Sequence, residues 1–211
     1  ALTQEATIHA MASLAEWRDT ETGAHIKRTQ NYVKALAVYI AQMPIYREEL
    51  DADAISWLYL SAPLHDVGKV AIADTVLHKP GPLTDEEYEA MKEHTTLGRA
   101  VLASADKFLG ENSFLRIASD IAYCHHERWD GKGYPRGVAG KDIPLSARLM
   151  SVADVYDALR SKRVYKPAMP HETAVRIIVD GRSTQFDPDV VDAFVALQEQ
   201  FRSIADKYSD V

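Results

Sequence analysis

Five of the eight histidines stand beside other residues that can bind metal ions, and their spacing is the first indication of chemistry. The pair His125-His126 is followed at once by Glu127. Neighbouring residues on a helix project about 100° apart, because the helix has 3.6 residues per turn. Two adjacent imidazoles therefore suit two different metal ions better than one. The alternative, a satisfied buried pair, is uncommon because both rings would need hydrogen-bond partners.

A second adjacent pair, His65 and Asp66, lies where the pattern predicts a helix that runs into Gly68. The carboxylate can bridge two cations while the imidazole binds one of them. Taken alone, the pair fits equally well with a packed histidine and an aspartate that caps the helix. Other positions must decide between a metal site and a structural pair.

Three further positions extend the set of candidate ligands. Glu21 and His25 are four residues apart and share one helical face, but alone they are more typical of an ordinary surface pair. His94 alone is more typical of a structural histidine on a helix. Asp154 lies on an otherwise apolar side of its helix, where an acid is costly unless it is paired or bound to metal. It is therefore a better ligand candidate than Asp157.

These candidates together offer nitrogen and oxygen ligands and no thiolate. Such a set suits Fe, Mn or Zn in a reactive site and differs from a structural zinc cage. The candidates outnumber the ligands that one ion needs, so the set favours clustered cations. Two or three cations a few Å apart can clamp a phosphate and generate a hydroxide from bound water.

The elements that must position these residues are predicted to be helical nearly throughout, in one all-α domain. Pro44 stops the second helix, and Thr84 with Glu87 three residues later is a capping box that starts another. Residues 128–145 carry four glycines and two prolines, which is typical of an ordered loop. Apolar periodicity predicts the helices at about 3–18, 24–43, 52–66, 85–104, 112–127, 146–161 and 171–180, and a last one from Asp187-Pro188-Asp189 to about 207.

Composition and charge exclude several classes of function. The 211 residues carry a net charge of -7, which argues against broad nucleic-acid binding but allows a small phosphate ligand. No apolar run approaches the length of a membrane span, and no signal-peptide pattern is present. The single cysteine, Cys124, excludes an internal disulfide and a thiolate zinc cage, and it fits a reducing cytoplasm.

In order and spacing, the motifs between about 5 and 180 resemble the HD-GYP phosphodiesterases, a branch of the HD superfamily with a helical-bundle fold. The stretch from the histidine pair to the Gly-Tyr-Pro sequence is the most specific part. The matching motifs are Glu21-x-x-x-His25, His65-Asp66-x-Gly68-Lys69, His94-x-x-x-Gly98, His125-His126-Glu127-x-x-Asp130-Gly131-x-Gly133-Tyr134-Pro135, Asp154-Val155-Tyr156-Asp157-Ala158-Leu159 and Arg163-x-Tyr165-Lys166.

The resemblance implies hydrolysis of cyclic di-GMP to pGpG and then GMP in bacterial second-messenger signalling, while some members prefer cyclic GMP-AMP. It implies two or three divalent metal ions, with iron favoured and manganese or nickel as alternatives. Asp66 would bridge two ions, and Glu21 with His25 matches positions that members with a third metal use. The implied metal ligands are His65, Asp66, His94, His125, His126 and Asp154, besides Glu21 and His25.

The resemblance also assigns roles to residues that are not ligands. Lys69 matches a lysine near the scissile phosphate, where its charge would stabilise the transition state beside Asp66. Arg163 and Lys166 match positions that hold the phosphates of the substrate, and the arginine fork suits that task. Tyr134 would border the substrate.

Three alternative functions stay open at this point. They are a phosphohydrolase for mononucleotides, a receptor that binds cyclic dinucleotides without turnover, and a protein-interaction module. The Gly-Tyr-Pro loop with Arg163 and Lys166 argues against the first, and the complete ligand set argues against the second. The third is compatible with catalysis.

We expect residues 1–211 to be one catalytic domain, with a lead-in helix at 1–20 and a C-terminal helix at 185–211. The lead-in helix would continue from an upstream sensor or receiver domain. Candidate partners are the cyclic dinucleotide substrate, a diguanylate cyclase domain and a second copy of the chain. Polymeric nucleic acid and membrane insertion are not expected, and the expected location is the cytoplasm.

Overall fold

The computed structural model describes residues 2–19, 23–109, 114–161 and 167–209. Within these ranges the chain is helical, and a bridge between Arg182 and Phe186 is the one β-type pairing. This confirms the predicted all-α class. The helices are α1 (Leu2–Asp19), α2 (Gly23–Ile40), α3 (Ala52–Ser61), α4 (Asp74–Leu77), α5 (Asp85–Leu109), α6 (Phe114–Cys124), α7 (Leu145–Arg160), α8 (His171–Asp180) and α9 (Pro188–Lys207).

The predicted helix at 52–66 was too long, and the difference decides where His65 and Asp66 lie. α3 ends at Ser61, and a 3-10 turn over Ala62–Leu64 follows. Pro63 lies in that turn; it has no N–H to donate, and its ring clashes with the carbonyl four residues back, so the α-helix cannot continue. A second 3-10 turn covers Val67–Ala71. The His-Asp pair therefore lies at the sharp corner between two 3-10 turns, and a continuous helix does not run into Gly68.

Two other helix boundaries follow from local backbone chemistry. α2 ends at Ile40, a little before the predicted 43, and Met43 before Pro44 is extended with φ -76 and ψ 131. The predicted capping box precedes α5. The Glu87 N–H donates to the Thr84 hydroxyl over 3.3 Å, and the Thr84 N–H donates to the Glu87 carboxylate over 2.7 Å.

The main hydrophobic core fixes α2, α7 and α9 against one another. The Tyr32 and Phe201 rings stack at 4.4 Å, and Tyr156 meets Tyr32 edge-on at 5.4 Å. All three side chains are fully buried. Such aromatic pairs add about 0.5–1.5 kcal/mol each beyond their buried area. This core holds the two helices, α2 and α7, that carry His25 and Asp154.

A smaller core joins α1, α2, α5 and α6 around the corner at His65 and Asp66. The corner lies directly against α5 at Gly68. A Cβ atom there would be 1.9 Å from the His94 carbonyl oxygen and 2.6 Å from the Gly98 nitrogen, so only glycine permits this approach. Gly68 thus brings Asp66 beside His94. None of the described helices is long and apolar enough to span a membrane.

Candidate metal centre

Four predicted ligands, Asp66, His94, His125 and His126, form what we call the first group. Their ligand atoms all lie within 4.8 Å of one another. Asp66 Oδ1 is 3.4 Å from His94 Nε2 and 3.5 Å from His125 Nε2. These three atoms are buried and have no hydrogen-bond partner among the described residues. Because unsatisfied buried polar atoms are costly, their convergence on one point fits a cation.

Three more predicted ligands, His25, His65 and Asp154, form the second group. The two Nε2 atoms of His25 and His65 are 3.4 Å apart, and Asp154 Oδ1 lies 3.9 Å from each. Ligands bound at about 2.1 Å in a tetrahedral site lie about 3.4 Å apart. The spacing of the second group therefore also fits a metal ion.

The Asp66 carboxylate stands between the two groups. Its Oδ1 faces the first group, while Oδ2 is 3.4 Å from His65 Nε2 and 2.7 Å from Lys69 Nζ. Burial alone would raise the pKa of Asp66, but the Lys69 ammonium and His65 hold that pKa well below its usual value. Asp66 is therefore ionised, with one oxygen available to each group, as a bridging ligand requires.

Backbone carbonyls orient three of the histidines. In each, Nδ1 donates to a carbonyl oxygen three or four residues earlier in the chain, which leaves the Nε2 lone pair free to bind metal. These pairs are His65 with Ala62, His94 with Met91 and His125 with Ile121, at 3.0, 2.7 and 2.9 Å.

His25 is oriented by a carboxylate instead. Its Nδ1 donates to Asp157 Oδ2 over 2.8 Å. Arg28 donates to both oxygens of Asp157, over 2.7 and 3.0 Å, and also to the backbone carbonyl of Tyr208 over 2.8 Å. Burial alone would raise the pKa of Asp157, but His25 and Arg28 lower it, so the carboxylate is ionised. This carboxylate–histidine pair is a common support for metal ligands.

The sequence missed Asp157 and Arg28 as parts of the centre. Asp154 was preferred to Asp157 as a ligand, and the structure places Asp154 in the second group and Asp157 behind His25. The available signal was the spacing of three residues between the two aspartates, which puts both on one side of α7. No local pattern in the sequence identifies the partner of the buried Arg28.

The spacing favoured two different metals for His125 and His126, whereas the structure brings ligand atoms of both residues into the first group. α6 ends at Cys124, so the helical angle between neighbours does not apply to the pair. Burial lowers the pKa of His94 to about 4 and that of His126 well below its usual value. Both rings are therefore neutral at pH 7, the form that binds metal.

The loop after the histidine pair is shaped by its glycines and by Glu127. The Arg136 N–H donates to the Glu127 carboxylate over 2.7 Å. Gly131 has a positive φ of 76°, a conformation that favours glycine. Gly133 is required by close packing, because a Cβ there would lie 2.4 Å from a backbone nitrogen. The loop places the Tyr134 ring in a stack on His126, with centroids 4.7 Å apart and planes at 25°. Tyr134 therefore borders the first group.

Three predicted site residues, Glu21, Arg163 and Lys166, lie outside the described residues. One acid that the sequence analysis did not select lies near the second group: Glu16 Oε1 is 4.0 Å from His25 Nε2, and the side chain is buried. Its position in the sequence could have identified it, because Glu16 lies one turn after Ala12 on the buried face of α1.

The family model for the HD domain matches residues 12–190. A cyclic di-GMP phosphodiesterase of Vibrio cholerae serotype O1 is 57% identical over 208 residues, which cover 99% of this chain and 42% of that protein. A probable cyclic di-GMP phosphodiesterase of the same organism is 51% identical over 208 residues, which cover 98% of this chain and 47% of that protein. The chain thus spans just under half the length of these curated relatives.

A solved structure has a similar fold. It is that of a cyclic GMP-AMP specific phosphodiesterase of V. cholerae, with a TM-score of 0.66 and 18% identity. The match covers 97% of this chain and 51% of that one. At this identity the likeness establishes the fold.

Proposed function

We propose that the chain, which belongs to the HD domain family, is a metal-dependent phosphodiesterase of the HD-GYP type that hydrolyses cyclic di-GMP to pGpG, to GMP or to both in bacterial signalling. The observation that carries the proposal is the junction at Asp66 of two groups of buried ligand atoms. Two cations beside one another are suited to phosphodiester hydrolysis. The similarity to cyclic di-GMP phosphodiesterases supports cyclic di-GMP as the substrate.

The side chains of each group would hold one divalent ion, and Asp66 would offer a carboxylate oxygen to each group. When bound, such ions polarise phosphoryl oxygens and lower the pKa of water. The nitrogen and oxygen ligands suit Fe, Mn or Ni, and the resemblance to the HD-GYP phosphodiesterases favours iron. Glu21, four residues before His25 in the sequence, would supply the ligand for a third ion.

The remaining roles belong to residues around the two groups. Lys69 Nζ is 2.7 Å from Asp66 Oδ2, and its ammonium would stabilise charge on the phosphoryl oxygens in the transition state. Backbone carbonyls and Asp157 keep the imidazole Nε2 atoms directed at the centre. Arg163 and Lys166 would bind the phosphates of the substrate. The proposed mechanism needs no covalent enzyme intermediate.

Product analysis by chromatography tests the proposal. The protein is loaded anaerobically with Fe(II) or Mn(II) and incubated separately with cyclic di-GMP and cyclic GMP-AMP, with the metal-free protein as the control. GMP accumulating from cyclic di-GMP supports the full proposal, including the third ion. Arrest at pGpG keeps the phosphodiesterase and argues against the third ion.

Two other outcomes would replace the proposal. Cleavage of cyclic GMP-AMP alone would change the substrate and keep the chemistry. Bound metal with no cleavage of either compound would favour a receptor that binds cyclic dinucleotides without turnover.

A further inference from the structure

Tyr88, Lys92 and Tyr134 form an open corner beside the first group, which we call the aromatic corner. The Tyr88 and Tyr134 rings meet nearly at right angles, at 80°, with centroids 6.2 Å apart. Lys92 Nζ is 5.4 Å from the centroid of Tyr88 and 5.5 Å from that of Tyr134. Both distances are within the range of a cation–π contact. The two rings therefore hold the ammonium group in the angle between them.

The aromatic corner is continuous with the candidate metal centre. The Tyr134 ring stacks on His126, whose ring centroid is 5.1 Å from that of His94 in the first group. Tyr88 is 48% exposed, so the outer part of the corner is open to a ligand. A base that is joined through its ribose to a phosphate at the first group would extend in this direction.

The chemistry of the corner suits a purine base. An exposed tyrosine ring offers a face on which a base can stack, since every base has a π-face. The Lys92 ammonium, which lies over the faces of both rings, offers N–H donors to the edge of a base that stacks on the open face of Tyr88. Guanine presents two acceptors there, O6 and N7, whereas adenine presents N7 beside the N6 amino donor. A lysine at this edge therefore favours guanine over adenine.

We propose that the aromatic corner binds a guanine base of the substrate and selects it over adenine, with Tyr88 as the stacking platform and Lys92 as the reader of the base edge. The Glu89 carboxylate lies 2.6 Å from Lys92 Nζ and holds the lysine on this side of α5. The inference rests on the proposed function, because it concerns the base of the same cyclic dinucleotide.

Steady-state kinetics of the metal-loaded protein test the corner with cyclic di-GMP and cyclic di-AMP. Tyr88→Ala is expected to raise KM for cyclic di-GMP about tenfold, with kcat within about twofold of the parent, because base stacking is lost. Lys92→Met keeps the apolar stem and removes the donor. It is expected to lower the preference for cyclic di-GMP over cyclic di-AMP about tenfold in kcat/KM.

Lys34→Met is the matched control for Lys92→Met. Lys34 Nζ also lies over a tyrosine, 5.0 Å from the ring centroid of Tyr59, and Lys34 belongs to neither group. This variant is expected to keep the parental kcat and KM for both compounds. A change equal to that of Lys92→Met would overturn the proposal.

Other results also decide against the corner. Parental KM values in Tyr88→Ala and Lys92→Met would exclude base binding there. An equal loss of kcat/KM for cyclic di-GMP and cyclic di-AMP in Lys92→Met would show that the lysine attracts the phosphates and does not distinguish the bases.

If the parent protein hydrolyses no cyclic dinucleotide, the proposed function fails, and calorimetric binding of GMP and AMP tests the corner separately. Tighter binding of GMP that Lys92→Met abolishes would keep the inference, and equal affinities in the parent would end it.

Discussion

The two groups of the candidate centre differ in how one histidine, His25, is oriented. In the first group, the His94 and His125 rings are oriented by carbonyls of α5 and α6 themselves. In the second group, His25 depends on the carboxylate of Asp157, which Arg28 holds in turn. His65 of the second group is also oriented by a local carbonyl, so the contrast concerns His25, whose orientation depends on contacts between α2, α7 and the end of α9.

The two groups also differ in their electrostatic environments. Burial lowers the pKa of His94 and of His126, and Asp66 is the one carboxylate among the first group. Burial would also lower the pKa of His65, but the carboxylates Asp66 and Asp154 outweigh it and raise that pKa above its usual value. Protons should therefore compete with metal more strongly at the second group.

Asp66→Asn should have the largest effect, because it removes the one residue that serves both groups. The amide keeps the size of the side chain but cannot offer a charged oxygen to each side. We expect both groups to lose metal and turnover to fall by at least about 10³-fold, since metal ions contribute several kcal/mol to such reactions. Metal analysis by mass spectrometry and turnover of cyclic di-GMP measure the effect.

Asp142→Asn serves as the control for that variant, because Asp142 is an exposed acid in the loop before α7. It should keep both metal content and turnover. Full metal content in Asp66→Asn would show that Asp66 does not bridge the groups.

The pair His94→Ala and His25→Ala separates the two groups. Each variant removes one ligand of one group, so each should lose about one equivalent of metal and keep the other. The loss of activity should be about 10²-fold in each, because one ligated cation remains. His9→Ala, on a partly exposed position of α1, is the control. Loss of all metal from either variant would mean that the two groups are one cooperative site.

The sequence predicted what depends on neighbouring residues and missed what depends on distant ones. The starts of most helices were found to within about three residues, because apolar periodicity and caps such as Thr84 are local signals. Candidate ligands could also be selected from the sequence, because histidine and aspartate carry their chemistry in the side chain. The turn at His65 was missed because helical periodicity hid the effect of Pro63.

The support of the second group could not be read from the chain in the same way. Arg28 meets Asp157 across 129 residues and the Tyr208 carbonyl across 180 residues. Such contacts arise only when α2, α7 and α9 have packed around their shared core. An arginine on an amphipathic helix has no pattern that identifies its partner, so sequence periodicity alone cannot predict this part of the centre.

Asp157→Asn should weaken the second group without removing it. Loss of a carboxylate behind a metal-bound histidine typically lowers metal affinity about 10- to 100-fold. Asp154→Asn, in contrast, removes a ligand atom of the group and should lose its ion. Metal titration of the two variants beside the parent measures the difference. An affinity in Asp157→Asn equal to that of the parent would show that His25 needs no carboxylate behind it.

The stability of Asp157→Asn must be measured in parallel, because Arg28 would remain buried beside a neutral partner. Breaking a buried ion pair costs about 3–5 kcal/mol when one partner is removed. Arg28→Lys is the matched variant: it keeps the positive charge and loses the two-pronged contact with Asp157. If both variants lose the same stability but only Asp157→Asn loses metal affinity, the effect on the metal belongs to the carboxylate and does not follow from loosened packing.

Acidification should release metal from the second group before the first. A proton on Nε2 excludes a metal ion, so the group whose imidazole has the higher pKa releases its ion at the higher pH. The raised pKa of His65 means that it takes up a proton early as the pH falls, whereas the pKa of His94 is about 4 and that ring stays neutral to lower pH.

His94→Ala keeps the second group and His25→Ala keeps the first, so dialysis of these two variants over a pH series measures metal release from each group separately. We expect the release midpoints to differ by about one pH unit, equivalent to a tenfold difference in proton competition. Release of the first group at the higher pH would reverse the electrostatic contrast between the two groups and would locate the stronger proton affinity at His94.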